Sequence, residues 1–137
     1  MVNKKIKLTS DLSLKEVAFD SNQFYIPKKL LVDFSDVRPR PVYKDGKATD
    51  VIECYILAAV DERTATAIEQ GLIDLEDVKK ITVEVHGSFD DIEKLIETAS
   101  VVSVELLNVS VKAKWIDGRN PNYKGYKLEA SGLKLAQ

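Results

Sequence analysis

Apolar positions along this chain alternate with polar ones over short stretches more often than they recur at helical spacing. That pattern predicts a protein built mainly of strands. KLLVDFSDV at 29–37 reads as a strand, with Leu30, Val32 and Phe34 on one parity and Leu31, Asp33 and Ser35 on the other. In VYKDGKATDVIECYILAAV the favoured turn pair Asp45-Gly46 precedes a long β-rich run to Val60. Ile52, Cys54, Ile56 and Ala58 share one face of that run, and Val51, Glu53, Tyr55 and Leu57 the other. Both faces are mostly apolar, as in a strand covered on both sides. ITVEV at 81–85 is a further strand, broken by Gly87. RPRP at 38–41 must be an edge or a connector, because proline lacks the donor that a central ladder needs. KIKL at 5–8 and LSLKEVAF at 12–19 suggest a short strand or two before Pro27.

Helical spacing is clearest in SFDDIEKLIETA at 88–99, where Phe89, Ile92, Leu95 and Ile96 form one apolar stripe. Ser88 is the expected N-cap, with Asp91 as a weaker form of the capping-box acid. Within 61–80, Asp61 or Thr64 can cap a short helix through Ala65, Ala67 and Ile68 that Gly71 ends, and LIDLEDVKK suggests a second turn. Two strands change phase in mid-course. Val102, Val104 and Leu106 are even, whereas Val109, Val111, Ala113 and Trp115 are odd, which predicts a bulge or bend near Leu107-Asn108. Tyr126, Leu128 and Ala130 give way to Leu133 and Leu135 with a similar slip at Gly132. IDGRNPNYKG between these two strands reads as a polar hairpin loop.

Bent strands are how a small sheet curls. The order of elements predicts a mainly β, OB-like barrel of five or six strands, with one helix between strands 3 and 4 and a short helical insert. An α+β sandwich of the same elements is the alternative. Residues 1–137 form one expected domain, with 1–27 as an extension or extra strand and 28–137 as the OB-like core.

With 137 residues and 45% hydrophobic content the chain can bury a real core. No apolar run approaches the roughly 20 residues of a membrane span, and the basic start is not followed by a signal-like apolar run. A soluble, cytoplasmic protein with no membrane partner is expected. The lone Cys54 cannot form an internal disulfide and reads as buried filler. One histidine and one cysteine do not assemble a zinc site, and His86 reads as a strand-end residue. There is no P-loop, no GxGxxG and no partner for a serine nucleophile. The acidic pairs Asp61-Glu62, Glu76-Asp77 and Asp90-Asp91 are better explained as caps and solvated faces than as magnesium ligands. The reading is therefore a non-enzyme, with no catalytic residues, metal or cofactor.

Charge changes the picture, because it is sorted by segment. Residues 1–47 hold ten Lys/Arg against six Asp/Glu, residues 48–107 four against fourteen, and residues 108–137 six against two. Most aromatic residues outside the core pattern lie in the two basic ends. Phosphates need charge and unpaired bases need rings, so this mixture suits single-stranded nucleic acid. In an OB barrel the ligand crosses the middle strands and two loops, which here are RPRPVYKDGK and IDGRNPNYKG. Arg38, Arg40, Lys44, Lys47, Arg119 and Lys124 are assigned to phosphates, with Lys112 and Lys114 beside them, and Tyr43, Tyr123 and Tyr55 to stacking. Trp115 joins the set, although a strand-end tryptophan also suits rim packing. The acidic middle is expected to face away, free to meet a protein partner.

The blocks RPRPVYKDGKATDVIECYILAAV, KKITVEV, VSVELLNVSVKAKW and GYKLEASGLKLAQ resemble the layout of filamentous-phage single-stranded DNA-binding proteins. They are also similar to a family of small proteins carried on conjugative elements of Gram-positive bacteria. The resemblance covers residues 38–60 and 80–137. Residues 61–79 look like an insertion, and the first 27 have no counterpart. It implies single-stranded DNA binding during phage or plasmid replication, without catalysis. RNA remains open as a ligand, as does a homodimer through a sheet edge. A non-catalytic protein-interaction or structural accessory module of a phage or conjugative element is the alternative function. A metal-using enzyme subunit is the weakest third.

Overall fold

The computed structural model describes residues 18–74, 77–116 and 118–136. Among the described residues the fold is mainly β, with 52% strand and two α-helices, and its sheet is a strongly curled, open half-barrel. In chain order the elements are β1 Ala18–Phe19, β2 Leu30–Asp33, β3 Arg38–Lys44, β4 Lys47–Asp61, α1 Glu62–Glu69, β5 Ile81–Val85, α2 Phe89–Glu97, β6 Val101–Leu107, β7 Ser110–Ile116, β8 Asn122–Ala130 and β9 Gly132–Leu135. Neighbouring strands run β1-β7-β8-β5-β4-β2-β6-β9, and β3 pairs with β4 off that path. The β5–β8 pairing is parallel, whereas the others are antiparallel. The strand predicted at 5–8 and residues 12–17 of the one predicted at 12–19 lie outside the described residues, as does part of the second turn predicted in 72–80. Among the described residues, no helix is long and apolar enough to cross a membrane.

Strand β4 organises the sheet. Along one edge it pairs first with β3, from Lys44↔Lys47 to Arg38↔Ile56, and then with β2, from Val32↔Ala59 to Leu30↔Asp61. Asp45 and Gly46 both take positive φ, 53° and 78°, as the tight turn between β3 and β4 requires. The prolines of RPRP occupy a strand whose register shifts on both sides of Pro41, an accommodation that an edge can make. The strand expected over 29–37 stops at Asp33, because Asp33 accepts from the Ser35 backbone N–H at 3.0 Å and starts a 3₁₀ turn.

Both phase slips are real bends. Asn108 sits at φ 51° between β6 and β7, and Ser131 separates β8 from β9. The bends face each other: Ser131 N–H donates to Leu107 O at 2.9 Å, and Asn108 Nδ2 donates to Ser131 Oγ at 2.9 Å. Their hairpin therefore bends as a unit. Its β6–β9 half joins β2, and its β7–β8 half joins β5 through β8.

Leu30, Val32, Phe34, Leu57, Val83, Val85, Val104, Val111 and Leu133 line the concave face and form the core. Ile92 of α2 is fully buried among them, with Phe89, Leu95 and Ile96 packed at its edge, as the stripe predicts. Asp61 caps α1, its carboxylate accepting from Thr64 N–H at 2.7 Å. Ser88 occupies the N-cap position of α2, as expected, but its side chain makes no capping hydrogen bond. It adopts a left-handed conformation, and its hydroxyl instead accepts from Leu133 N–H at 3.1 Å, pinning the helix start to β9. The approach there is so close that a Cβ on Gly87 would lie 2.1 Å from Ser131 O, which only glycine tolerates.

Candidate functional site

Alternation along β5 turns Val83 and Val85 into the core and Thr82 and Glu84 onto the opposite, outer face. The same logic places Cys54 and Ile56 of β4 outward, as it does Lys127 and Glu129 of β8. Glu84 is nonetheless only 5% exposed, so its carboxylate needs partners. Arg40 of β3 reaches across β4 to supply a fork, Nη1 to Oε2 and Nη2 to Oε1, both at 3.1 Å. Lys127 adds Nζ to Oε2 at 2.6 Å.

The pattern continues sideways. Arg40 Nε donates to Glu53 at 3.1 Å. Lys112 lies 3.2 Å from Glu129 and Lys127 3.6 Å from it. His86 Nε2 stands 3.6 Å from both Glu84 and Glu129. Arg40, Lys112 and Lys127 thus match Glu53, Glu84 and Glu129 in alternating signs across the outer face. Burial alone would raise the pKa of Glu84, but the Lys127 and Arg40 donors outweigh it and hold the carboxyl below its ordinary value.

Beside this network the rings of Trp115 and Tyr123, which are register partners, meet edge to face at 5.0 Å. Trp115 is 48% exposed. Two adjoining clefts cross the face. The first, about 630 Å³, runs from Arg40 and Glu53 to Trp115 and Tyr123. The second, about 480 Å³, is bordered by Asp36, Arg38, Ala58, Thr82, Lys114 and Trp115. Lys114 is steadied there by a 2.8 Å bond from Nζ to Thr82 Oγ1.

Six of the residues singled out from sequence thus come together: Arg38, Arg40, Lys112, Lys114, Trp115 and Tyr123. Tyr43, Lys44 and Lys47 are exposed at the tip of the β3–β4 hairpin and border neither cleft. Arg119 is exposed in the connection between β7 and β8. Lys124 borders a different cavity and lies in β8, as does Tyr123, because the strand already begins at Asn122, inside the predicted loop. Tyr55 is a correction. It is buried, its ring packs against Phe89 at 5.4 Å, and its hydroxyl donates to Glu93 at 2.9 Å, so it offers no face to a base. Desolvation, followed by the Glu93 bond, pushes its phenol up to about 12.

The acidic middle does not simply face away. Glu53 and Glu84 belong to it and sit between the basic strands, neutralising part of their charge. The signal for this was a single glutamate on the outward parity of an otherwise apolar strand, a position that demands cations opposite. Cys54 Sγ, Glu84 and His86 place ligand atoms within 4.8 Å of one another. The donor set does not fit a divalent metal. Both Glu84 oxygens already accept from cations, and burial pushes the Cys54 thiol up to about 11, disfavouring the thiolate a metal needs. Comparison of the chain with protein-family models, curated proteins and solved structures finds no match.

Proposed function

We propose that this chain is a non-catalytic, OB-like protein that binds single-stranded DNA with little sequence preference during replication of a phage or mobile element. Counting β2–β3, β4, β5, β6–β7 and β8–β9 as five bent strands, α2 falls between the third and fourth. The 45–46 and 117–121 connections are then the two that flank ligand in such barrels. The observation that carries the reading is the shared outer face. Arg38 and Arg40 from one hairpin border the same clefts as Lys114, Trp115 and Tyr123 from the other. Rings supply stacking that every base can use, and cations supply phosphate contacts.

The matched network refines the role of each cation. Arg40, Lys112 and Lys127 hold carboxylates and shape the floor. Arg38, Lys114 and the exposed Lys44, Lys47 and Arg119 have no ion pair among the described residues and are the phosphate ligands. The test is fluorescence anisotropy of a labelled mixed-sequence single strand and of its duplex over a salt series. Tight single-strand binding at low salt, weakening as salt rises, is expected. Failure to bind at the lowest salt overturns the proposal. The carboxylates of Glu53 and Glu129 inside the cleft would then favour the second reading, a surface for a protein partner of mixed charge.

A further inference from the structure

We infer that the bound strand does not end at the Trp115–Tyr123 cleft but continues over Lys114 and Lys127 into a second subsite, a cavity between residues 24–27 and the start of β5. This extends the single-strand reading and rests on it. The cavity, of about 590 Å³, has an apolar floor that includes Ile26, Ile81, Ile116 and Leu128. Phe24 and Tyr126 form one wall, locked against each other and Phe19 by edge-to-face contacts at 4.9–6.1 Å. Tyr25 stands apart from that cluster. It is 80% exposed, lines the cavity and makes no ring contact among the described residues.

Charge separates this subsite from the first. Lys79, Lys80 and Lys124 stand on its rim, and among the described residues none of them is in a salt bridge and no carboxylate lines the cavity. The outer cleft, by contrast, carries Glu53, Glu84 and Glu129. A polyanion that tolerates the matched cleft meets a more favourable field here. The two are continuous, because Thr82, Lys114 and Lys127 border both this cavity and the outer cleft beside Arg38. Apolar floor, exposed ring and cationic rim together suit an unstacked base with its phosphates. A small amphiphilic anion would need the cavity alone and would leave the shared ridge unexplained.

The test uses the full chain and a labelled mixed-sequence single strand of about 16 nucleotides, near the upper end for one OB fold. Lys79→Ala/Lys80→Ala changes two exposed side chains, and its salt slope should fall by about 1.4, two phosphates at about 0.7 each. Tyr25→Ala should weaken binding about fivefold or more with the slope unchanged, the low end for one lost stack. Quenching of Trp115 on binding should persist in both variants, since the first cleft is intact. If both variants match the unaltered chain while Trp115→Ala weakens binding, the second subsite is overturned and the single-strand reading stands. If the unaltered chain binds no single strand at low salt, that reading falls, and the subsite with it.

Discussion

Arg40 and Glu84 are joined by two parallel hydrogen bonds of 3.1 Å although a whole strand, β4, lies between them. The reach is possible because Cys54, the register partner of Arg40, is small and fully buried beneath the guanidinium. Glu84→Gln removes the charge that balances Arg40 and Lys127. Because Arg40 is about one-third exposed, the expected cost is about 2 kcal/mol, below the roughly 3–5 of a fully buried pair. Urea denaturation at neutral pH measures it, and an unchanged midpoint would show that the network adds nothing to stability.

Acid sensitivity follows from the same carboxyl. Its folded pKa lies below the ordinary 4.5, to which it returns on unfolding. Glu84 therefore adds stability above about pH 4.5, and this is lost as pH falls through the folded value. Unfolding midpoints of the unaltered chain and Glu84→Gln should converge as pH drops from about 7 to about 3. Parallel curves would contradict the assignment.

The chain contains one tryptophan, so its fluorescence reports on Trp115 alone. Single-stranded DNA should quench it, and Trp115→Ala should cost about 1–3 kcal/mol of affinity without altering the salt slope. Arg38→Ala should also weaken binding at low salt but, unlike the tryptophan change, lower the slope by about 0.7. Emission unchanged at saturating DNA would place the strand elsewhere.

Tyr55→Phe gives a contrasting outcome. The hydroxyl bond to Glu93 is lost, at about 1 kcal/mol of stability, while DNA affinity is unchanged because the ring lies in the core. A loss of affinity at constant stability would mean that the ring reaches the ligand.

Both helices end in the same backbone motif, with different residues at its strained position. After α1 it is Gly71 at φ 73°, and after α2 it is Ala99 at φ 48°. Ala99 N–H donates to Ile96 O and Ser100 N–H to Leu95 O, which fixes the left-handed conformation. Ala99→Gly relieves the Cβ and should stabilise the fold by about 0.5–1 kcal/mol, raising the thermal midpoint. A lower midpoint would show that glycine's unfolded-state entropy outweighs the strain.

Much of the fold was legible because strand periodicity is a local property. The bends at Asn108 and Ser131, the Asp45-Gly46 turn, the edge character of RPRP and the α2 stripe can each be read within a dozen residues. Pairing across the sheet is not local. Nothing near Glu84 announces that Arg40 and Lys127 will close on it, so the neutralised part of the basic face stayed hidden. Tyr55 was misplaced for a related reason: in a strand apolar on both faces, parity does not say which face is the core. Ser88 has the chemistry of a cap but is claimed by β9, a partner 45 residues away.

The parallel join between β5 and β8 also has a kinetic consequence. The β3–β4 and β7–β8 hairpins each form across a short connection and can zip up independently. The joins that curl the sheet cannot, since Val83 must find Leu128 and Leu30 must find Val104. The entropy of closing loops of that length places these steps after the hairpins and makes assembly slow for a chain this size. Until they close, the ridge of Thr82, Lys114 and Lys127 between the two cavities is not built, so the surface proposed to hold a strand arrives with the last step of folding rather than with either hairpin.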